Sequence, residues 1–155
     1  MSEFEFVPFK IAKKLKEKGF KEKCLTYYDV IDNVGLLYNI QYTNDLSPCQ
    51  YTDLLQSHNT DVNTYQSDDS EYCVDAPTIS QVLKWLIDEK NLFVYPETVQ
   101  LPEDERLGER SGKRMWNFSV DDLNIDDCIF ESLLKYHSYE EAAMSGIEYV
   151  INNLI

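Results

Sequence analysis

Residues 76 to 100, APTISQVLKWLIDEKNLFVYPETVQ, change their apolar period midway. Ile79, Val82, Leu83, Leu86 and Ile87 recur at the i, i+3, i+4, i+7, i+8 spacing of a helix with one buried face. Pro77 and a Thr78 set three residues before Gln81 mark its start. After Lys90 the pattern alternates, and LFVYPETVQL reads as a strand whose Pro96 demands an edge position or a bulge. A helix feeding directly into an edge strand restricts the chain to mixed architectures.

The other segments agree. In PFKIAKKLKEKGF, Pro8 suits a first helical turn, Ile11, Ala12 and Leu15 share a face, and Gly19 occupies a left-handed cap, after which Phe20 can return onto Leu15. LTYYDVI (25–31) and LLYNIQYT (36–43) read as a hairpin around DNVG. Residues 44 to 75 are polar and weakly periodic, with one short helix expected around TDLLQ; they read as a long acidic loop. MWNFSVD alternates Trp116, Phe118 and Val120 against Asn117, Ser119 and Asp121, the return strand of a second hairpin with Gly108 and Gly112 in its loop. CIFESLLKY (128–136) fits both periods, and we read it as a strand feeding a final helix. That helix opens with Ser138 three residues before Glu141, a capping-box pattern, and carries Ala142, Ala143, Ile147, Val150, Ile151 and Leu154 on its apolar stripe. Gly146 in mid-helix is unfavourable by about 1 kcal/mol relative to Ala, which points to close approach of another element. The expected fold class is α+β, small antiparallel sheets from two hairpins packed with about three helices. At 155 residues, 43% hydrophobic, one domain spanning 1–155 is expected, able to bury roughly two-thirds of its unfolded surface.

Charge bounds the function. The chain holds 14 Lys and Arg against 28 Asp and Glu, and residues 10 to 23 hold seven of the lysines. Between Lys23 and Lys84 there is no Lys or Arg, but there are nine Asp or Glu. Such a field repels phosphate backbones and favours basic partners. Charge counts against a winged-helix reading of 76–100, because Lys84 and Lys90 on the helix are offset by Asp88 and Glu89. The cations of the loop, Arg106, Arg110, Lys113 and Arg114, face Glu103, Asp104, Glu105 and Glu109. The start, MSEFEFVPFK, places acidic residues where a secretory signal carries positive charge, and no run approaches the roughly 20 apolar residues of a membrane span; a cytoplasmic protein is expected. Cys24, Cys49, Cys73 and Cys128 form no CxxC pair and read as reduced thiols.

The blocks IAKKLKEKGF, APTISQVLKWLIDEK and SYEEAAMSGIEYVINNLI resemble the small uncharacterised proteins of gut Bacteroides-type bacteria and of their phages and mobile elements. In those proteins the three blocks recur in this order, with a Trp- or Tyr-containing hairpin between the second and third. The acidic segment 44–75 departs from that pattern. The resemblance implies a phage or mobile-element setting and brings no catalytic residues.

Chemistry motifs are sparse. Five glycines supply neither GxGxxG nor a P-loop, and His58 and His137 are too few for a typical catalytic zinc site. DDLNIDD (121–127) begins like an EF-hand loop but has Asp127 where the glycine belongs and Leu133 where the bidentate Glu belongs, so it reads as a solvated turn. Glu140 and Glu141 stand in a first helical turn, where the dipole favours them without any catalysis. No enzyme, cofactor or metal is expected.

Two binding readings remain. In the favoured one, a non-enzymatic, inhibitor-like and anti-defence accessory factor meets a basic surface on a host protein through Asp53, Asp61, Asp68, Asp69 and the tyrosines Tyr38 and Tyr42. The alternative is a small-ligand or nucleotide-sequestering protein, with Arg106, Arg110, Lys113 and Arg114 as anion contacts and Trp116 as a stacking platform. A winged-helix-like DNA-associated regulator stands third. The edge strand at Pro96 also makes a homodimer an expectation.

Overall fold

The computed structural model describes residues 6–22, 24, 26–31, 34–39 and 73–155. The expected helix around TDLLQ, the end of the first hairpin beyond Asn39 and nearly all of the acidic segment lie outside the described residues. The chain divides into two compact units, Met1–Gln81 and Val82–Ile155. The fold is α+β, with α-helices alongside two antiparallel three-stranded sheets.

In the first unit, α1 (Phe9–Glu17) buries Ile11, Ala12 and Leu15, the face its spacing announces. Its end is a full Schellman cap: the Phe20 N–H donates to the Leu15 carbonyl at 2.9 Å and the Gly19 N–H to that of Lys16 at 3.1 Å. Gly19 holds φ +89°, where a Cβ would be strained, and Phe20 and Leu15 are both fully buried. β1 (Thr26–Ile31) and β2 (Val34–Asn39) pair antiparallel with Ile31 opposite Val34, so the second strand takes in Val34 and Gly35. β3 (Cys73–Asp75) pairs with the other side of β1, giving the order β2-β1-β3. The sequence placed those three residues in the polar loop; their strand is made by non-local pairing with β1, which local patterning does not report. The Val7 N–H donates to the Pro77 carbonyl at 3.0 Å, and Tyr28 donates its hydroxyl to the Val7 carbonyl at 2.7 Å.

α2 (Ile79–Lys90) starts with a reciprocal capping box, the Thr78 N–H donating to Gln81 Oε1 at 3.0 Å and the Gln81 N–H to Thr78 Oγ1 at 3.2 Å. Its buried residues include Ile79, Val82, Trp85 and Leu86, whereas Leu83 and Ile87 are half-buried. The apolar stripe is therefore rotated toward Trp85. Asn91, at φ 55°, ends the helix in the left-handed region and turns the chain into β4 (Leu92–Gln100).

In the second unit, β4 pairs with β5 (Arg114–Asp122), and β5 with β6 (Asp127–Glu131), in the order β4-β5-β6. Pro96 lies opposite Phe118 on the edge strand β4, the position a residue without an N–H requires. α3 (Tyr139–Asn153) packs on β4 and β5. Gly146 lets it approach, because a Cβ there would stand 2.5 Å from Val94 Cγ1 and 3.1 Å from Phe118 Cδ2. Ala142, Ala143, Ile147, Val150 and Ile151 are buried, while Leu154, assigned to the same stripe, is exposed at the C-cap, outside the helix proper. Asn117 and Ser119, on the polar face of the alternation, are buried too; β5 is the central strand, flanked by β4 and β6. Among the described residues no helix is long and apolar enough to cross a membrane.

Candidate interaction site

The loop of the β4–β5 hairpin builds its own frame. The Leu101 N–H donates to the Lys113 carbonyl and the Gly112 N–H to that of Pro102, each at 3.0 Å, which extends the hairpin beyond the named strands. Asp104 then caps a 3-10 helix at Glu105–Arg110, accepting from the Arg106 N–H at 2.9 Å, and Gly108 and Gly112 take positive φ as the turns require. The same carboxylate receives the Arg106 guanidinium, Nη2 to Oδ2 at 2.6 Å, and that bond holds the Asp104 carboxyl below its ordinary pKa. One of the four candidate anion contacts thus already faces a carboxylate of its own loop. Arg110, Lys113 and Arg114 are exposed on this loop and at the start of β5. Trp116 is half-buried on β5 with Tyr139 edge-on at 5.6 Å, so its ring is part of the α3 packing. Of the acidic set, Asp53, Asp61, Asp68, Asp69 and Tyr42 lie outside the described residues; Tyr38 is on β2, opposite Tyr27.

A surface that the sequence did not single out lies on the opposite edge of the second sheet. β5 and β6 are joined by a turn in which Asp122 Oδ1 accepts from the backbone N–H and from Nδ2 of Asn124, at 2.8 and 2.9 Å. In register, Cys128 faces Asp121 and Phe130 faces Val120, leaving Ile129 as the extra residue of a β-bulge. Beyond β6 the chain continues alongside β5. The Ser132 N–H donates to the Phe118 carbonyl at 2.9 Å, and Tyr136 and Trp116 exchange two backbone hydrogen bonds, at 2.7 and 2.8 Å. On β5 only Asn117 separates these two anchor points, whereas on the edge three residues do. Leu133, Leu134 and Lys135 are therefore thrown outward, held by Ser132, whose Oγ accepts from the Leu134 N–H at 3.2 Å.

Leu133 is 92% exposed and Leu134 69%. Leu123, Ile125 and Ile129 are exposed along the same hairpin and edge strand. Adjacent leucines in an extended segment are the readable signal, since a period of two must send one of them outward. The carboxylates Asp121, Asp122, Asp126, Asp127 and Glu131 occupy the same stretch, and between 121 and 141 the one Lys or Arg is Lys135. Behind the protrusion, Asn117 is 1% exposed; its Nδ2 donates to Glu131 Oε1 at a long 3.4 Å, and its Oδ1 has no hydrogen-bond partner among the described residues.

The remaining polar chemistry is modest. Cys128 is exposed, and its thiol is raised above the ordinary value by partial desolvation and by Asp121 and Glu131; Cys24 is buried and held protonated by that burial and by Asp75. Tyr95 donates to Asp121 Oδ1 at 3.2 Å. Among the described residues no group of three or more His, Cys, Asp or Glu is placed to hold a metal ion. Comparison with protein-family models, curated proteins and solved structures finds no match for this chain.

Proposed function

We propose that the protein is a non-enzymatic binding factor that uses an acidic surface to occupy a basic surface on another protein. The observation that carries this reading is the joint placement of exposed apolar side chains and carboxylates along the β5–β6 edge, in a chain of net charge −14. Apolar area supplies affinity, and the carboxylates steer the encounter and reject nucleic acid. The cation-free interval between Lys23 and Lys84 adds to the net negative charge of the chain. We place this activity in a phage or mobile-element setting, on the strength of the three sequence blocks, and in the cytoplasm, on the reading of the cysteines as reduced thiols, with a host protein that normally holds nucleic acid as the target and inhibition, as in anti-defence, as the outcome.

The test is capture from a bacterial host lysate with the purified protein, followed by crosslinking and mass spectrometry. Expected is a partner whose crosslinked surface is rich in Lys and Arg, released as salt rises toward about 1 M, where the screening length falls to about 3 Å. A partner that survives charge reversal of Asp53, Asp61, Asp68 and Asp69 and of the hairpin carboxylates, or no partner at all, overturns the reading. The nucleotide-sequestering alternative is judged on the same preparation: denaturation would release a discrete compound absorbing near 260 nm, and R110A/K113A/R114A would abolish its retention.

A further inference from the structure

We infer that the outward-thrown segment Leu133–Lys135 is the anchor of that interaction, and that its occupant is a protein segment presenting an apolar pocket or face rimmed by Lys and Arg. This deepens the binding reading above and rests on it.

The geometry argues for an anchor in three steps. First, exposure of two consecutive leucines on one protrusion is unfavourable for an isolated chain, since each would lose its apolar contact with water on burial in a partner. The protrusion is held in place: backbone bonds at Ser132 and Tyr136 pin both of its ends to β5, and the Ser132 hydroxyl closes the turn inside it. An anchor held in its bound shape loses little conformational entropy on docking.

Second, the edge is badly suited to taking an extra strand. β6 has five residues, a bulge at Ile129 and then the protrusion, and each of these interrupts a straight row of backbone donors and acceptors. Docking by side-chain insertion is what the edge leaves open.

Third, charge selects the occupant. Asp126, Asp127 and Glu131 lie on one side of the leucines along the chain, Glu140 and Glu141 on the other. A second copy of this chain would bring the same carboxylates together in an isologous contact, and like charges brought face to face oppose it. Phosphate-bearing surfaces, nucleic acid or anionic lipid, are repelled for the same reason. An apolar partner surface with a cationic rim satisfies both the leucines and their surroundings.

The experiment uses the full chain against a random peptide library displayed on beads. Recovered peptides are expected to combine aliphatic or aromatic residues with Lys or Arg, and L133S/L134S is expected to weaken their binding by roughly tenfold or more, the loss corresponding to one well-buried leucine. D126N/D127N/E131Q should weaken binding less at high salt than at low. A photoreactive residue at position 134 in the otherwise unchanged protein should crosslink the same peptides, which keeps the test valid if the double variant misfolds. Recovery of no peptide, recovery of peptides without basic enrichment, binding indifferent to L133S/L134S, absence of crosslinks from 134, or a dimer in ultracentrifugation that L133S/L134S dissolves each overturns the inference. If L133S/L134S is silent while reversal of Asp53, Asp61, Asp68 and Asp69 abolishes binding, the anchor falls and the acidic-partner reading stands. If neither set matters, both fall.

Discussion

Gly146 of α3 and Val94 of β4 are so close that a single added methyl would sit 2.5 Å from Val94 Cγ1. Val94 is buried and β-branched, with restricted χ1, and Phe118, the next neighbour at 3.1 Å, is buried as well. In an exposed helix, Gly to Ala would stabilise by about 1 kcal/mol. Here overpacking of about 1–3 kcal/mol works against it. Gly146→Ala is therefore expected to destabilise the protein, read as a lower denaturant midpoint with an unchanged slope; a stabilised variant would show that the helix can slide off the sheet at little cost.

The start of the same helix gives a cleaner measurement. Ser138 Oγ accepts from the Glu141 N–H at 3.1 Å, and the Glu141 carboxylate returns to the His137 N–H at 2.9 Å. Ser138→Ala removes the first of these without touching the core, and a loss of about 1 kcal/mol is expected. Hydrogen exchange at the Glu141 amide should accelerate more than at Val150. Equal acceleration at both would mean that the cap governs the whole helix rather than its first turn.

These two features were readable because their signals are local. A capping box occupies four residues, a mid-helix glycine contradicts its own propensity, and the change of period at Lys90 marks where α2 ends. Pro96 announced an edge strand for an equally local reason, its missing N–H. What patterning missed depends on distant partners. Cys73–Asp75 become a strand only because β1 lies beside them, and Asn117 and Ser119 are buried on the central strand β5, which has a neighbour on either side. Leu133 and Leu134 lie in a segment that fits either period, and their exposure is decided by the unequal spacing between the anchor points at Phe118 and Trp116. Charge and aromatic content do not mark an apolar protrusion.

The thiols should separate sharply in reactivity. Burial first, then Asp75, raises the Cys24 thiol far above its ordinary value of 9.0, while Cys128 is exposed with a smaller rise. Under native conditions near pH 8, Cys128 is expected to be alkylated and Cys24 to be protected until unfolding. The sign for stability follows from the direction of the shift. A group whose folded pKa is raised contributes stability that is complete below the unfolded value and is lost as pH climbs, because the unfolded thiol ionises first. Stability should therefore fall above about pH 9, with Tyr28, also raised by burial, acting in the same direction. Cys24→Ala should flatten that fall; a pH profile identical to the parent's would assign the loss to other groups.

Asn117 offers the sharpest test of how the protrusion is built. Its Oδ1 is buried without a hydrogen-bond partner among the described residues, and its Nδ2 makes one long bond to Glu131. A buried acceptor left unpaired is destabilising by about 1–3 kcal/mol, whereas the long bond to an exposed carboxylate returns less. Asn117→Val replaces the amide with a β-branched side chain suited to a central strand. The variant is expected to be as stable as the parent or more stable by about 1 kcal/mol, read from chemical denaturation. The backbone anchors at Trp116 and Phe118 are untouched by the change, so Leu133 and Leu134 should keep their exposure, checked by the reactivity of a cysteine placed at 134. A marked loss of stability would mean that the carboxamide is satisfied in solution and that the segment behind the leucines is held by a polar contact rather than by the backbone.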